Sequence, residues 1–282
     1  MARDIKIIDL FSGPGGLGEG FSAYEDASGE RPFKIVTSIE KDSSAHRTLK
    51  LRAFYRSFDN NVPDAYYNFL KGNLGSSPED SLFQDQRFSE HIKQAEREAR
   101  KLTLGEDNLE IETAIQDALG SDECVLIGGP PCQAYSIAGR ARNVSKADYR
   151  IEDDHRSRLY KEYLNVIARF QPLIFVMENV KGILSSKLDG ANVFESVRSD
   201  LQQPCNVTGI SPSKGRRQHQ YHVISLVCPL GDKEQQDPHN FIVKSEDLGV
   251  PQQRHRVILL GIRKDIAYKW DDEFLLSKAS KW

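Results

Sequence analysis

A cysteine stands after a stretch of the chain that predicts a buried strand, with four residues between them. Residues 124–127 are apolar without a break, and Gly128-Gly129-Pro130-Pro131 then frees the backbone and stops the strand ladder. Cys132 is therefore presented at a strand exit, where open α/β sheets place their chemistry, and its thiolate could act as a nucleophile. The alternative is a structural thiol, because free cysteine is among the most buried residue types.

Two further groups of polar residues stand at expected strand ends. The apolar run 173–177 delivers Glu178-Asn179-Val180 at its exit, and a carboxylate in that place is a candidate for a perturbed pKa. The segment Gln252-Gln253-Arg254-His255-Arg256 leads into an expected strand at 257–262. Two arginines at i and i+2 of an extended segment point to the same side. With Cys132, the three groups combine a nucleophile, a carboxylate and two cations.

A glycine-rich turn near the start of the chain predicts a cofactor site. Residues 5–10 read as a central strand and 17–24 as a helix, and Gly13, Gly15 and Gly18 between and within them match G-x-G-x-x-G. Such a turn lets a ligand approach the backbone and face the helix N-terminus. On its own the pattern also fits a nicotinamide- or flavin-binding turn, or just a tight connection.

An acidic residue supports the cofactor interpretation. Glu40 ends a second expected strand, 33–39, where a carboxylate can accept bonds from both hydroxyls of a ribose. Its alternative role is to cap the helix that the sequence predicts up to about residue 52. The glycine turn and Glu40 together indicate an adenosine-containing cofactor.

The rest of the pattern alternates strands with helices, which favours an α/β fold with a mostly parallel sheet and helices on both faces. Helices are expected at 159–170 and 192–202, a strand at 221–228, a short strand exit at 70–74 and a short helix at 270–282. No internal repeat, low-complexity segment or metal-ligand spacing is found in the sequence.

The amino-acid composition excludes several classes of protein. The chain has 282 residues, of which 39% are hydrophobic and 28% charged, as in an ordinary globular protein. No apolar run approaches the ~18 residues that span a bilayer, and no signal peptide is expected because a strand begins at once. Four cysteines without a CxxC pair argue against zinc and against a disulfide scaffold. We expect a cytoplasmic protein without a metal.

The charge is uneven along the chain. Residues 75–123 hold 13 acidic and 5 basic side chains, a net charge of −8. Since the whole chain has a net charge of −3, all other residues together carry +5. Apolar residues at helical spacing predict helices in this stretch, which we interpret as an acidic helical insertion at about 75–122 with a solvated face. The segments 134–158 and 211–219 are basic. Either could contact phosphates or be only a solvated loop and a hairpin tip.

Taken together, the ordered motifs resemble the carbon-5 cytosine-specific DNA methyltransferase family. Asp9-Leu10-Phe11-Ser12-Gly13-Pro14-Gly15-Gly16 resembles its first motif, and Gly129-Pro130-Pro131-Cys132-Gln133 its nucleophile motif. Arg156 with Leu159, Glu178-Asn179-Val180 and the Gln-x-Arg-x-Arg of residues 252–256 resemble three later motifs. The motifs extend over residues 5–262. A nicotinamide enzyme would explain only the glycine turn and Glu40.

The resemblance implies a Rossmann-like S-adenosylmethionine-dependent fold, a catalytic domain over residues 1–282, and a full set of site residues. Cys132, Glu178, Arg254 and Arg256 would be catalytic, and Pro131, Gln133, Asn179 and Val180 would bind the substrate. The cofactor would be held by Phe11, Ser12, Gly13, Gly15, Gly16, Leu17, Glu40, Lys41, Asn73, Leu74, Pro130 and Leu159. S-adenosylhomocysteine would be the product, and no metal is implied.

The implied reaction is methylation of a cytosine flipped out of double-stranded DNA. Cys132 would attack carbon-6, Glu178 would hold or protonate ring nitrogen-3, and Arg256 would bind the exocyclic oxygen. Carbon-5 would then take the methyl group, in a restriction-modification or related bacterial or phage system at the nucleoid. An RNA cytosine methyltransferase would share this chemistry.

Two departures from the family pattern shape the remaining expectations. Asn73 stands where the family has an acid that binds the adenine amino group, and an amide oxygen could accept the same bond. The family's target-recognition domain and final motif are not found, since about 20 residues follow Ile262. The chain could be one subunit of a two-chain enzyme, whose partner supplies base readout, or part of a longer enzyme. A binding-only pseudoenzyme is disfavoured by the presence of Cys132, Glu178 and both arginines.

Overall fold

A computed structural model describes residues 4–58, 61–73, 78–131, 155–188, 191–228 and 237–267. The chain divides into two compact units, Met1–Gly120 and Ser121–Trp282. Among the described residues, no helix is both long enough and apolar enough to cross a membrane.

The described residues of the first unit form three parallel strands, with β2 in the middle, and six helices. The strands are β1 (Ile5–Leu10), β2 (Phe33–Ile39) and β3 (Ala99–Arg100). The helices are α1 (Gly16–Ser22), α2 (Ser43–Arg56), α3 (Asp64–Leu70), α4 (Pro78–Phe83), α5 (Ser89–Glu98) and α6 (Asn108–Leu119), and a 3₁₀ turn spans Gln86–Phe88. Both strands expected in this region before residue 40, and the helix after the glycine turn, are therefore confirmed.

Local sequence sets where these helices begin and end. The Asp42 carboxylate accepts a hydrogen bond from the Ala45 amide at 2.8 Å, so that it caps the start of α2 and satisfies a backbone donor there. Helix α6 ends at Gly120, whose φ of 58° is a conformation that glycine adopts without strain. The Asp42 cap thus sets the first residue of α2 at Ser43.

The acidic stretch differs from the expected solvated hairpin. It is helical as predicted, but Ile92, Ala95 and Ala99 pack into a core cluster with Leu49 and Phe54 of α2. The two residues of β3 extend the parallel sheet, with Ser38 opposite Ala99 and Ile39 opposite Arg100. One face of this stretch is therefore part of the hydrophobic core of the unit, and the burial of these apolar residues stabilises the fold. That it is an insertion relative to relatives remains a prediction.

The expected strand exit at residues 70–74 is wrong. Residues 64–70 form helix α3, and the Asn73 amide donates a hydrogen bond to the Asn68 carbonyl at 2.9 Å beyond its end. The run Ala65-Tyr66-Tyr67-Asn68-Phe69 has aromatic residues that suit either a strand or a helix. Packing of Ala65, Tyr66 and Phe69 against the core cluster selects the helix.

The second unit has a parallel strand pair followed by antiparallel strands. Strand β4 (Cys124–Gly128) pairs in parallel with β5 (Ile174–Val180), and β5 pairs antiparallel with β10 (His255–Arg263). The other edge of β10 pairs antiparallel with β8 (Tyr221–Ile224) and β9 (Ile242–Lys244). The three strands expected next to the candidate catalytic residues, at 124–127, 173–177 and 257–262, are confirmed as β4, β5 and β10.

Helices and short elements complete this unit. They are α7 (His155–Phe170), α8 (Gly182–Ser185), the hairpin β6 (Lys187–Leu188) and β7 (Ala191–Asn192), α9 (Val193–Gln202), α10 (Pro204–Thr208) and α11 (Lys264–Ala267). Two 3₁₀ turns span Pro238–Phe241 and Ser245–Leu248. The helix expected at 270–282 lies outside the described residues, as do residues 134–154 of the basic loop expected at 134–158. Residues 155–158 belong to α7 and are not loop.

A glycine and an aromatic ring fix the pairing of β5 with β10. Gly261 lies opposite Phe175 in the antiparallel register, and the fully buried Phe175 ring occupies the space where a Cβ on Gly261 would be. Only glycine fits at this point, since any side chain would overlap the ring. The register that results also fixes which residues of β10 face the end of β5.

Candidate active site

The ends of β4, β5 and β10 bring two of the four predicted catalytic residues, Glu178 and Arg256, together beside Gly129. Gly128 pairs with Met177, which places Gly129 beside Glu178, and a Cβ on Gly129 would lie 3.1 Å from the Glu178 Oε2 atom. Glycine therefore lets the exit of β4 pass close to this carboxylate. Sequence motifs had placed both residues at strand exits, and the structure places them next to each other.

Arg256 contacts the same carboxylate from the neighbouring strand. Arg256 pairs with Val180 in the antiparallel register, so it lies diagonally across from Glu178, and its Nε atom is 2.6 Å from Glu178 Oε1. Both side chains are about a quarter exposed, at 26% and 27%. The pair is an ion pair that keeps one side open, and it can present a cation and a carboxylate to the same small polar molecule.

Asn179 ties down the segment that leads to the predicted nucleophile. Its Nδ2 atom donates to the Pro130 carbonyl at 3.4 Å, and its Oδ1 atom accepts from the Val180 amide at 2.9 Å. Asn179 and Pro130 are buried, and Pro131 is half-buried. Cys132 and Gln133 lie outside the described residues. The structure describes the segment before Cys132 up to Pro131, and within it Gly129 lies beside Glu178.

Arg254 is exposed and has no side-chain partner among the described residues. Its amide donates to the Gln252 carbonyl at 3.0 Å, and its carbonyl accepts from the Ser245 hydroxyl at 2.7 Å. The two arginines of the motif therefore differ in surroundings, because Arg256 pairs with Glu178 while Arg254 faces solvent.

The glycine turn and Glu40 form the candidate cofactor site in the first unit. The Gly13 amide donates to Glu40 Oε2 at 2.8 Å and the Asp42 amide donates to Oε1 at 2.7 Å, so Glu40 links the turn to the start of α2. Each carboxylate oxygen has a second lone pair, which leaves Glu40 able to accept from a ribose. Asp42 and not Glu40 caps α2, so the alternative role expected for Glu40 is wrong, and its ribose role stays a prediction.

The backbone of the turn is shaped for close approach. Phe11, Gly13 and Gly15 have φ values of 54°, 55° and 90°, and at Phe11 a bulky residue holds a strained conformation. Cβ atoms on Gly13 or Gly16 would meet nothing within 4 Å, so the turn has open space on that side. Ser12 is buried and donates to the Asp9 carbonyl at 2.8 Å, which holds the turn at the end of β1.

The remaining predicted cofactor residues are distributed over both units. Leu17 is half-buried on α1, Lys41 is exposed, and Asn73 is exposed beyond α3. Leu74 lies outside the described residues. Pro130 and Leu159 are both buried in the second unit, and their roles toward a cofactor stay predictions.

One buried carboxyl under this turn was missed by sequence reasoning. Asp9 is 1% exposed, neither of its oxygens has a hydrogen-bond partner among the described residues, and a Cβ on Gly18 would lie 3.1 Å from its Oδ2. Burial raises the pKa of Asp9 to about 8. Asp9 thus explains why the third glycine of the pattern is needed, since α1 crosses directly over the carboxyl. Its neighbour Arg56 bonds Glu19 and Glu98.

The other three cysteines have the character of structural thiols. Cys124, Cys205 and Cys228 are buried, and burial raises the pKa of the Cys124 thiol to about 12. A thiol that stays protonated is a poor nucleophile. Among the described residues there is also no cluster of His, Cys, Asp and Glu side chains that could hold a metal ion.

Comparison with known proteins identifies the family. The family model for C-5 cytosine-specific DNA methylases matches residues 93–203 and 236–281, together more than half of the chain. The type II methyltransferase M.Bpa9945I of Bacillus paralicheniformis is 31% identical over 279 residues, which cover 94% of this chain and 55% of that protein. The type II methyltransferase M.AquIA of a Picosynechococcus strain is 28% identical over 258 residues, covering 92% and 72%.

Among solved structures, the methyltransferase EhMeth of Entamoeba histolytica aligns over 92% of this chain and 53% of its own, with 15% identity and a TM-score of 0.47, a likeness too small to support an argument. The chain spans about half the length of the Bacillus relative. The family model confirms the resemblance found in the motifs and, with it, the prediction of a mixed α/β, Rossmann-like methyltransferase fold. The chain belongs to the family of C-5 cytosine-specific DNA methylases.

Proposed function

We propose that this chain transfers a methyl group from S-adenosylmethionine to carbon-5 of a cytosine in double-stranded DNA. The observation that carries the proposal is the Glu178–Arg256 pair, 2.6 Å apart, beside the strand exit that leads to Cys132. A carboxylate and a guanidinium side by side match the ring nitrogen-3 and exocyclic oxygen of cytosine, which lie next to each other on one edge of the base.

The roles of the residues follow from the chemistry of the base. Carbon-5 of cytosine is a poor nucleophile, and attack of the Cys132 thiolate on carbon-6 makes it enamine-like. Glu178 holds or protonates nitrogen-3, Arg256 binds the exocyclic oxygen, and Arg254 lies two residues away on the same strand entry. With the methyl group on carbon-5, the carbon-5 proton would pass to water, and its electron pair would re-form the 5,6 double bond as the carbon–sulfur bond breaks and releases the Cys132 thiolate.

The residues of the glycine turn fit the methyl donor. Glu40 retains lone pairs for the ribose hydroxyls, and the open side of Gly13 and Gly16 leaves room for a ligand against the backbone. S-adenosylmethionine, when bound, supplies the methyl group, and S-adenosylhomocysteine is left. Phe11, Ser12 and Gly15 belong to the same turn, Leu17 follows it on α1, and Lys41 follows Glu40 in the chain.

The substrate and setting are the finer part of the proposal. A base stacked in a duplex cannot reach a pocket at a strand exit, so the target cytosine must flip out. We place the chain in the cytoplasm at the nucleoid, in a restriction-modification system. Base readout requires side chains in a DNA groove, and a second protein chain or further sequence would supply them.

Labelled methyl transfer tests the proposal. The chain is incubated with labelled S-adenosylmethionine and either duplex DNA or RNA, alone and with the product of the adjacent reading frame. Methylated cytosine in DNA, lost in Cys132→Ala while S-adenosylhomocysteine binding is kept, is the expected result. Activity only with the added chain supports a two-chain enzyme. Methylation of RNA but not DNA, or substantial turnover by Cys132→Ala, would overturn the substrate or the mechanism.

A further inference from the structure

A histidine between the two motif arginines has an acidic partner that neither the motif nor the reaction explains. His255 Nε2 lies 2.5 Å from Glu246 Oε1, and the two side chains are 28% and 32% exposed. An ionised carboxylate can only accept, so Nε2 carries the proton of this bond. Glu246 belongs to the 3₁₀ turn Ser245–Leu248, which comes directly after β9.

The Glu246–His255 pair links the two ends of the loop that connects β9 to β10. His255 lies opposite Lys244 in the strand register, and the Ser245 amide and hydroxyl both donate to the Arg254 carbonyl, at 3.2 and 2.7 Å. Within the connection, the Val250 amide donates to the Ser245 carbonyl at 3.2 Å. The Glu246–His255 hydrogen bond adds a side-chain link to these backbone hydrogen bonds. It holds His255, the residue between the two arginines.

Arg256 depends on the backbone that these hydrogen bonds hold. Its Nη1 atom donates to the His255 carbonyl at 2.8 Å, while its Nε atom contacts Glu178. Side chains alternate along an extended strand, so His255 points away from the face that carries Arg256. Glu246 therefore does not approach Glu178 itself, and any effect on the Glu178–Arg256 pair must pass through the His255 backbone.

We propose that Glu246, through its hydrogen bond with His255, is a positioning residue that holds Arg256 against Glu178. The inference rests on the proposed function, in which Arg256 binds the target base. A hydrogen bond of this kind contributes modestly to stability, but a displacement of a binding group by about 1 Å can cost on the order of 100-fold in rate. The main consequence is thus expected in the rate of methyl transfer and not in folding.

The test compares Glu246→Ala, Glu246→Gln and a matched control, Asp237→Ala. Asp237 also contacts a histidine two residues away, His239, at 3.1 Å, but it caps a different 3₁₀ turn and touches neither arginine. Single-turnover methyl transfer, S-adenosylhomocysteine affinity and Tm are measured for each, under whichever condition makes the parent chain active.

We expect Glu246→Ala to lower the single-turnover rate about 10- to 100-fold, with cofactor affinity unchanged. Glu246→Gln retains an acceptor oxygen for His255 and should recover most of the rate, and Asp237→Ala should stay within about twofold of the parent. A fully active Glu246→Ala, a failure of Glu246→Gln to recover the rate, or equal losses in Glu246→Ala and Asp237→Ala would overturn the inference alone. A parent chain that binds no cofactor and methylates nothing would refute the proposed function and the inference with it.

Discussion

Glu178 Oε1 and Arg256 Nε lie 2.6 Å apart, although the two residues are not opposite each other in the strand register. Arg256 pairs with Val180 and Glu178 with Ile258, so the contact runs along the diagonal between β5 and β10. The contact is made by the Nε atom, while Nη1 of the same guanidinium donates to the His255 carbonyl. A shorter side chain at either position would break the pair without disturbing the strand ladder.

Removal of the guanidinium is the first prediction. Arg256→Ala should lower the rate of methyl transfer by about 10²–10³-fold, because one preorganised donor to the base is lost and Glu178 is left without its partner. Cofactor affinity should not change, since the glycine turn and Glu40 are untouched. Single-turnover assays and S-adenosylhomocysteine titration measure the two quantities. A variant with parental activity would remove Arg256 from the proposed site.

The closeness of Gly129 to Glu178 gives a second prediction. A Cβ at Gly129 would lie 3.1 Å from Glu178 Oε2, so Gly129→Ala should push the carboxylate aside and slow methyl transfer by about tenfold or more. Gly20→Ala is a suitable control, since a Cβ there meets nothing within 4 Å and Ala favours the helix. Equal rates in the two variants would show that Glu178 tolerates the added methyl group.

Gly261 and Phe175 lead to a prediction about stability. Gly261→Ala should reduce the free energy of unfolding by about 1–3 kcal/mol or more, because the new methyl group overlaps a fully buried ring. Urea denaturation measures the change. In the double variant Gly261→Ala, Phe175→Leu, the smaller side chain at 175 makes room, so the two effects should be less than additive. Additive losses would contradict steric overlap as the cause.

Much of the fold follows from sequence because the patterns that predict it are local. The apolar runs of β1, β2, β4, β5 and β10 are bounded by glycine, proline or polar residues, and each strand lies where its run predicted. Strand β3 has two residues and no apolar run of its own. It exists because α5 delivers Ala99 to the edge of β2, a tertiary contact that no short window of sequence carries.

In the candidate site, too, the sequence identified individual residues but not the contacts that form only in the folded chain. Motif residues such as Glu40, Glu178 and Arg256 were found from type and spacing, but the 2.6 Å contact between Glu178 and Arg256 was not. The burial of Asp9 under Gly18 and the hydrogen bond of Glu246 to His255 depend on elements that meet only in the folded chain. Asp9 opens the first motif and Glu246 lies six residues before the motif at 252–256, and neither position signals these contacts in the sequence.

Thiol reactivity provides a further prediction. Cys124, Cys205 and Cys228 are 1%, 7% and 7% exposed, so they should react slowly with a thiol reagent in the native protein. Cys132 is predicted to be the thiol that reacts fast, and Cys132→Ser should abolish the fast phase while leaving the slow ones. A fast phase that survives in Cys132→Ser would assign the reactive thiol to one of the buried cysteines and weaken the nucleophile assignment.

The buried Asp9 carboxyl predicts a dependence of stability on pH. Burial raises its pKa to about 8 in the folded chain, against an ordinary value of 3.8, so between these values the folded state holds a proton that the unfolded state has lost. Stability from this group is therefore greatest below about pH 4, falls as the pH rises, and is fully lost above pH 8. Asp9→Asn cannot ionise and removes the dependence. The stability of the variant relative to the parent should rise from pH 5 to pH 9 in urea titrations. A difference that stays constant over that range would mean that Asp9 is already ionised in the folded protein, with a partner that offsets its burial.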